Sequence, residues 1–215
     1  MPDQSSNPSV TAIVLAAGLS TRMGGRLKPL LPLGELTVIE RIISTLAACP
    51  LEEIVVVVGH QRQAIEQHLA GWDVRTVFNT DYATGEMLSS VQVGLRSVSA
   101  GSNAALIVLG DQPALESSVV AAVIAAYRDG LGSVIVPSFQ MRRGHPLLIG
   151  RVWWQTILGL EGKTLRDFMR GLGAEICHVP VNTPSIFQDM DTPAEYLREL
   201  AEYSSRRQNA PAIAV

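Results

Sequence analysis

The run V-T-A-I-V-L-A-A-G-L-S-T-R-M-G-G, residues 10–25, joins two kinds of sequence. Residues 10–16 are apolar and rich in β-branched side chains, the pattern of a buried strand. Residues 17–25 then turn small, polar and glycine-rich and carry Arg22, with Lys28 soon after. A buried strand opening into such a turn is the first unit expected of an open α/β sheet, where ligands sit beyond the carboxyl ends of the strands. The turn is neither G-x-x-x-x-G-K-[ST] nor G-x-G-x-x-G, so it is no P-loop and no dinucleotide fingerprint. Its chemistry still points to phosphate. Gly18 and Gly24 let the backbone turn and approach an anion closely, and successive amides can form an anion nest. Arg22 offers a fork of donors and Lys28 a mobile point charge. A polar turn with solvated charges would have the same composition, so the turn alone leaves both readings open.

Outward from this stretch, strand and helix patterns alternate. Strands are expected at 53–58, 74–78, 104–109 and 133–137, and helices at 37–48, 61–69, 86–98 and 117–127. The valine run at 53–58 is too continuous to face water on either side. Thr37-Val38-Ile39-Glu40 reads as a capping box, followed by Ile39, Ile42, Ile43 and Leu46 on one helical face. This rhythm implies a mostly parallel sheet covered on both faces. It loosens later: a strand at 146–149, helices at 151–158 and 165–172, and a last strand at 175–179. Thr192-Pro193-Ala194-Glu195 is a second capping box, with Pro at the first helical position, and opens a helix to about Tyr203. One domain is expected over 9–204, with loose ends at 1–8 and 205–215.

Composition narrows the class. Of 215 residues 47% are hydrophobic, enough for a sizeable core, while 17% are charged, below the usual quarter or so. The net charge of −3 gives no general pull toward nucleic acid or an acidic membrane, so any anion site must be local. Cys49 and Cys177 form neither a C-x-x-C nor a disulfide framework and read as buried, reduced thiols. With no secretory pattern at the start and no stretch of about 18 apolar residues, the expectation is a soluble, cytoplasmic protein.

Two carboxylates sharpen the phosphate reading. Asp111 follows strand 104–109 in L-G-D-Q-P, and Asp191 precedes the second capping box. Thr192 already caps that helix, so Asp191 is not needed there. A pair of carboxylates beside a phosphate loop suits Mg²⁺, which takes one or two carboxylates plus phosphate oxygens and water. Alone, Asp111 could be a turn residue, and Asp191 could serve the helix dipole.

Leu15-Ala16-Ala17-Gly18-x-Ser20-x-Arg22-Met23-Gly24 with Lys28-Pro29-Leu30-Leu31 resembles the signature loop of nucleotidyltransferases with a GT-A-like fold. Residues 79–94, Gly110-Asp111-Gln112-Pro113, Arg143-Gly144-His145-Pro146, Thr164-Leu165-Arg166-Asp167 and Asp189-Met190-Asp191-Thr192-Pro193 resemble the molybdopterin nucleotidyltransferase branch, most of all molybdenum cofactor cytidylyltransferases. The resemblance covers roughly residues 10–200. It implies a three-layer α/β/α sandwich with a Rossmann-like, mostly parallel sheet of the nucleotide-diphospho-sugar transferase type. It implies attack by an acceptor phosphate on the α-phosphorus of a nucleoside triphosphate, with release of pyrophosphate.

The roles it implies are these. Arg22, Lys28 and Asp111 carry catalysis. Leu15, Ala16, Ala17, Gly18, Ser20, Arg22, Gly24, Lys28, Asn79, Gly85, Ser90 and Asp111 hold the nucleotide. Ser89, Ser90, Gly144, His145 and Pro146 meet the acceptor. Asp111 and Asp191 hold Mg²⁺, with Mn²⁺ as an alternative. The guanylyl branch reads L-A-G-G where this chain has Ala17, and a methyl there would favour CTP over GTP by the ~1–3 kcal/mol typical of one carbon. The expected partners are CTP, or GTP instead, and a molybdopterin-type cofactor, with transient contact to a molybdenum hydroxylase and neither nucleic acid nor membrane. The competing readings are a GTP-dependent enzyme, a transferase for another small phosphorylated acceptor, and a non-catalytic carrier or insertion chaperone for the cofactor.

The residues leave several of these open. Arg142 and Arg143 fit a pterin phosphate or plain solvation. The Ser pair fits an anion or a weak helix start, and Thr164 with Asp167 makes an ordinary capping pair. Trp153 and Trp154 read as packing, though a flat pterin could stack on either.

Overall fold

The computed structural model describes residues 7–209. Ten strands and seven α-helices follow in chain order: β1 Val10–Ala16, β2 Pro32–Leu33, β3 Leu36–Thr37, α1 Val38–Ala47, β4 Glu53–Val58, α2 Arg62–Leu69, β5 Arg75–Phe78, α3 Met87–Ser97, β6 Ala104–Leu109, α4 Ser117–Arg128, β7 Val134–Phe139, β8 Arg142–Arg143, β9 Leu147–Gly150, α5 Trp154–Leu158, α6 Leu165–Leu172, β10 Ile176–Pro180 and α7 Pro193–Asn209. The main sheet runs β10-β7-β9-β6-β1-β4-β5, with β8 paired to β7. β1 lies parallel between β4 and β6, and only β8 and β9 run against the rest.

The period-2 alternation of strand side chains builds two cores. Val10, Ala12, Val14 and Ala16 of β1 share one with Val56, Leu106, Val120 and the buried face of α1. Ile13 and Ala17 join Val57, Ile107, Leu88, Val91, Ile157 and Phe168 on the opposite side. One layer thus carries α1, α2 and α4, and the other α3, α5 and α6. The result is the expected three-layer α/β/α sandwich. Burying strands on both faces requires apolar side chains at every position, which is what the valine run of β4 supplies.

The helix starts follow their local chemistry. Thr37 Oγ1 accepts from the Glu40 amide while the Glu40 carboxylate accepts from the Thr37 amide. Thr164 and Asp167 repeat this reciprocal pairing at α6, as does Thr192 with Glu195 at α7. Each such cap is worth about 1 kcal/mol.

Some expectations shift. Helix α7 continues to Asn209, beyond Tyr203, because residues 204–209 add no helix breaker. Of the ends expected to be loose, residues 1–6 and 210–215 lie outside the described residues, while the Pro8 carbonyl accepts from Arg128. Cys49 and Cys177 are unpaired but half-buried rather than buried, and burial pushes the Cys49 thiol up. Among the described residues, no helix is long and apolar enough to cross a membrane.

Candidate active site

The parallel strands β5, β4, β1 and β6 end at Phe78, Val58, Ala16 and Leu109, and their outgoing loops gather at one edge of the sheet. The loop after β1 is tied in place from both sides. Gly110 donates its amide to the Leu15 carbonyl at 3.0 Å, and His60 donates its amide to the Ala17 carbonyl at 3.3 Å. A Cβ on Gly110 would stand 2.6 Å from Leu15 O, so only glycine lets β6 leave the sheet this close to β1.

The loop itself folds into two short turns of 3₁₀ helix, Thr21–Met23 and Lys28–Leu30. Met23, 2% exposed, anchors the first in the core. Ser20 has left-handed backbone, as does Gly24, which closes the first turn. Ser20 Oγ accepts the Lys28 amide at 3.1 Å, so the serine fixes where the lysine starts. Gly18 is exposed, and a Cβ built on it meets no atom within 4 Å. Arg26 is exposed as well.

Lys28 reaches into a cluster of opposite charge. Its Nζ donates to Asp111 Oδ2 at 2.7 Å and to Asp191 Oδ1 at 2.8 Å. Arg22 closes the group, one guanidinium nitrogen lying 2.6 Å from Asp191 Oδ2. The lysine side chain is 14% exposed and that of Arg22 67%. Burial works against the Lys28 charge, but Asp111 and Asp191 outweigh it and hold its pKa above the ordinary value. Burial likewise opposes ionisation of Asp191, yet hydrogen bonds from Lys28 and the charges of Lys28 and Arg22 hold its carboxyl below the usual range. Backbone contacts bring the two aspartates together. The Met190 amide donates to the Asp111 carbonyl at 3.0 Å, and the Asp191 amide to Glu195 Oε2 at 2.9 Å. The second capping box therefore does more than start α7: it positions Asp191.

Beside this cluster the loop after β5 is internally knitted. Asn79, fully buried, donates from Nδ2 to Ser89 Oγ at 2.9 Å and to Ser90 Oγ at 3.0 Å. Ser89 in turn donates to the Glu86 carbonyl. A Cβ on Gly85 would strike Ser89 and the Asp81 carbonyl, so that glycine serves the tight turn before α3. Asn79, Ser89 and Ser90 thus form one hydrogen-bonded unit, with Gly85 in the tight turn before α3.

A cavity of about 930 Å³ lies on the same side, lined in part by Met87, Leu147, Arg143, Gly144, His145 and Met169. Arg166 and Arg170 of α6 also line it. They were not expected as site residues: Thr164–Asp167 reads as a family motif and as an ordinary cap, and neither reading gives Arg166 a role. Their spacing of four, which puts both on one helix face, was the available signal. Arg142 behaves differently from its neighbour: it lies 4.6 Å from the Phe187 ring centre, leaving Arg143 to line the cavity. His145 Nδ1 is buried without a hydrogen-bond partner. Burial pushes the imidazole below its ordinary pKa, against the pull of the Ile107 backbone and of Asp111 and Asp189. Pro146 follows through a cis peptide and is buried.

The two tryptophans resolve into packing. Trp154 is 5% exposed and bonds the Ile149 carbonyl, and Trp153 sits edge-on to Phe168 and donates to Ser133. Ala17 is 5% exposed and packs with the α3-side core. Among the described residues, no three His, Cys, Asp or Glu side chains are grouped to hold a metal. The pair Asp111 and Asp191 nevertheless converges on one positive centre, the Lys28 ammonium. That suits a cation which draws its remaining ligands from phosphate and water.

Comparison with known proteins gives relatives by sequence and by fold. Nicotine blue oxidoreductase of Paenarthrobacter nicotinovorans is 33% identical over 202 residues, covering 90% of this chain and 97% of that protein. Other curated relatives are much longer, and the chain spans 15–30% of several of them. The crystal structure of a Mycobacterium sp. strain JC1 homologue of Mycobacterium tuberculosis Rv0371c is 27% identical, with a TM-score of 0.81 over 92% of this chain and 98% of that one. A nucleotidyl transferase from Methanothermobacter is 25% identical, with a TM-score of 0.78 over 92% and 99%. Residues 12–176 match the MobA-like NTP transferase domain, and the chain belongs to that family.

Proposed function

We propose that this protein transfers CMP from CTP to the phosphate of a molybdopterin-type cofactor and releases pyrophosphate. The observation that carries the reading is the convergence of Arg22, Lys28, Asp111 and Asp191 beside a glycine-rich loop at the strand ends. An oxygen of the acceptor phosphate bonds to the α-phosphorus, and the bond from that phosphorus to the β-phosphate oxygen breaks. The acceptor is its own nucleophile, so no Ser–His or Cys–His pair is needed. Positioning and charge neutralisation carry the rate. Loop amides around Gly18 and the exposed Arg22 hold the outer phosphates. Lys28 meets the charge that grows on the α-phosphate. Asp111 and Asp191 would hold Mg²⁺ or Mn²⁺, which when bound neutralises phosphate charge. The cavity beside α6 brings Leu147, Met87 and Met169 together with Arg143, Arg166 and Arg170, which suits a flat anionic acceptor.

CTP labelled at the α-phosphate, supplied with Mg²⁺ and molybdopterin, should leave its label on the acceptor. Label that stays in CTP, or transfer seen only when the CTP is labelled at the γ-phosphate instead, contradicts the proposal. A second reading, oxidoreduction, is favoured by the full-length match to nicotine blue oxidoreductase. It requires electron transfer between two substrates with no pyrophosphate formed.

A further inference from the structure

The four charged groups of the site pair with one another. Asp191 gives Oδ1 to Lys28 at 2.8 Å and Oδ2 to Arg22 at 2.6 Å, and Asp111 gives Oδ2 to Lys28 at 2.7 Å. Two cations against two carboxylates make the group electrically neutral. A bare divalent ion would have to displace an ammonium that is 14% exposed and bonded to both of its prospective ligands. A nucleoside triphosphate changes the balance, because it brings several negative charges for which Arg22 and Lys28 are the nearest donors.

We propose that Lys28 is a built-in counter-ion that keeps the divalent-cation site closed in the free protein. Arrival of the triphosphate draws Lys28 and Arg22 onto phosphate oxygens and frees Asp111 and Asp191 for the metal. The cation therefore enters with the nucleotide and not before it. The site cannot be filled unproductively by metal alone, and Lys28 has two successive roles, as counter-ion and then as phosphate ligand. This rests on the nucleotidyltransferase reading for the identity of the triphosphate. The exchange itself rests on the ion pairs.

The test is binding of Mn²⁺ alone to nucleotide-free protein, read from the loss of the free-ion electron paramagnetic resonance signal. Wild type should bind weakly, and tighten tenfold or more when CTP is added, beyond the signal loss that the same CTP causes without protein. Lys28→Met leaves two carboxylates facing each other with only the exposed Arg22 against one of them, so the nucleotide-free variant should bind Mn²⁺ at least tenfold tighter than wild type. Adding Asp191→Asn to that variant should cancel the gain. Arg22→Gln, at a mostly exposed side chain, frees one Asp191 oxygen and should give a gain of a few-fold. If Lys28→Met fails to fold by circular dichroism, Arg22→Gln decides the matter. Equal or weaker Mn²⁺ binding by the folded variants overturns the proposal, as does nucleotide-free wild type that binds Mn²⁺ as tightly as its CTP complex. Absence of pyrophosphate release by wild type would refute the proposed reaction and leave the Mn²⁺ result standing on its own.

Discussion

Gly18→Ala separates a glycine kept for a ligand from one kept for the fold. Its Cβ would find no heavy atom within 4 Å, and the residue is not among the glycines with positive φ. The fold therefore does not require glycine at 18. Alanine there should be neutral, or stabilising by the ~0.4–1 kcal/mol that a stiffer unfolded chain gives. If the loop cradles phosphate, the added methyl pushes an anion off the backbone amides. Losing one charge-assisted hydrogen bond costs about 1.5–3 kcal/mol, roughly 10- to 150-fold in affinity. Gly110→Ala is the counterpart. Its Cβ would stand 2.6 Å from Leu15 O and 3.3 Å from Ala16 Cα, both backbone atoms that cannot rotate away. That variant should lose about 1–3 kcal/mol of stability. Urea denaturation and equilibrium titration with CTP and Mg²⁺ read the two effects independently. A Gly18→Ala protein that is stable and still binds CTP like wild type would refute the phosphate loop.

Other substitutions probe the remaining roles. Asp111→Asn should lower pyrophosphate release on the order of 10²-fold or more if the carboxylate holds the cation; near-normal rates remove it from the site. Ala17→Gly should shift the CTP-to-GTP ratio of kcat/KM by at most the ~1–3 kcal/mol of one carbon, and an unchanged ratio means the base is read elsewhere. Arg166→Gln and Arg170→Gln should raise KM for the acceptor and leave KM for CTP alone; a matched change in both would take the α6 face out of acceptor binding. His145 is held below its ordinary pKa by burial. The unfolded chain then takes up a proton that the folded one refuses, so stability is full above the ordinary value of 6.5 and falls as pH drops through it. The loss is at most ~1.4 kcal/mol per pH unit. Denaturation at about pH 7.5 and about pH 5.5 should show a smaller loss for His145→Gln than for wild type.

Much of the architecture was legible because its signals are local. Runs such as 53–58 are buried on both faces and announce themselves, and three capping boxes mark the starts of α1, α6 and α7. The 3₁₀ turns at 21–23 and 28–30 and the two-residue strands β2, β3 and β8 were not legible, since pieces this short carry no period. The site was legible as residue types but not as a network. The bonds of Lys28 span 83 and 163 residues, and no spacing rule predicts that one ammonium bridges both carboxylates. The cavity beneath α6 was missed for a similar reason. It exists because α3, β7, β9 and α6 meet there, while the local sequence of α6 shows only a good cap.

The most direct test of the account is pyrophosphate release with CTP, GTP, ATP or UTP and Mg²⁺, with and without molybdopterin cofactor. The account predicts release with CTP only when the cofactor is present. Preference for GTP would keep the chemistry and overturn the reading of Ala17. No pyrophosphate from any nucleotide, while the cofactor binds, would contradict nucleotidyl transfer as the function of this site.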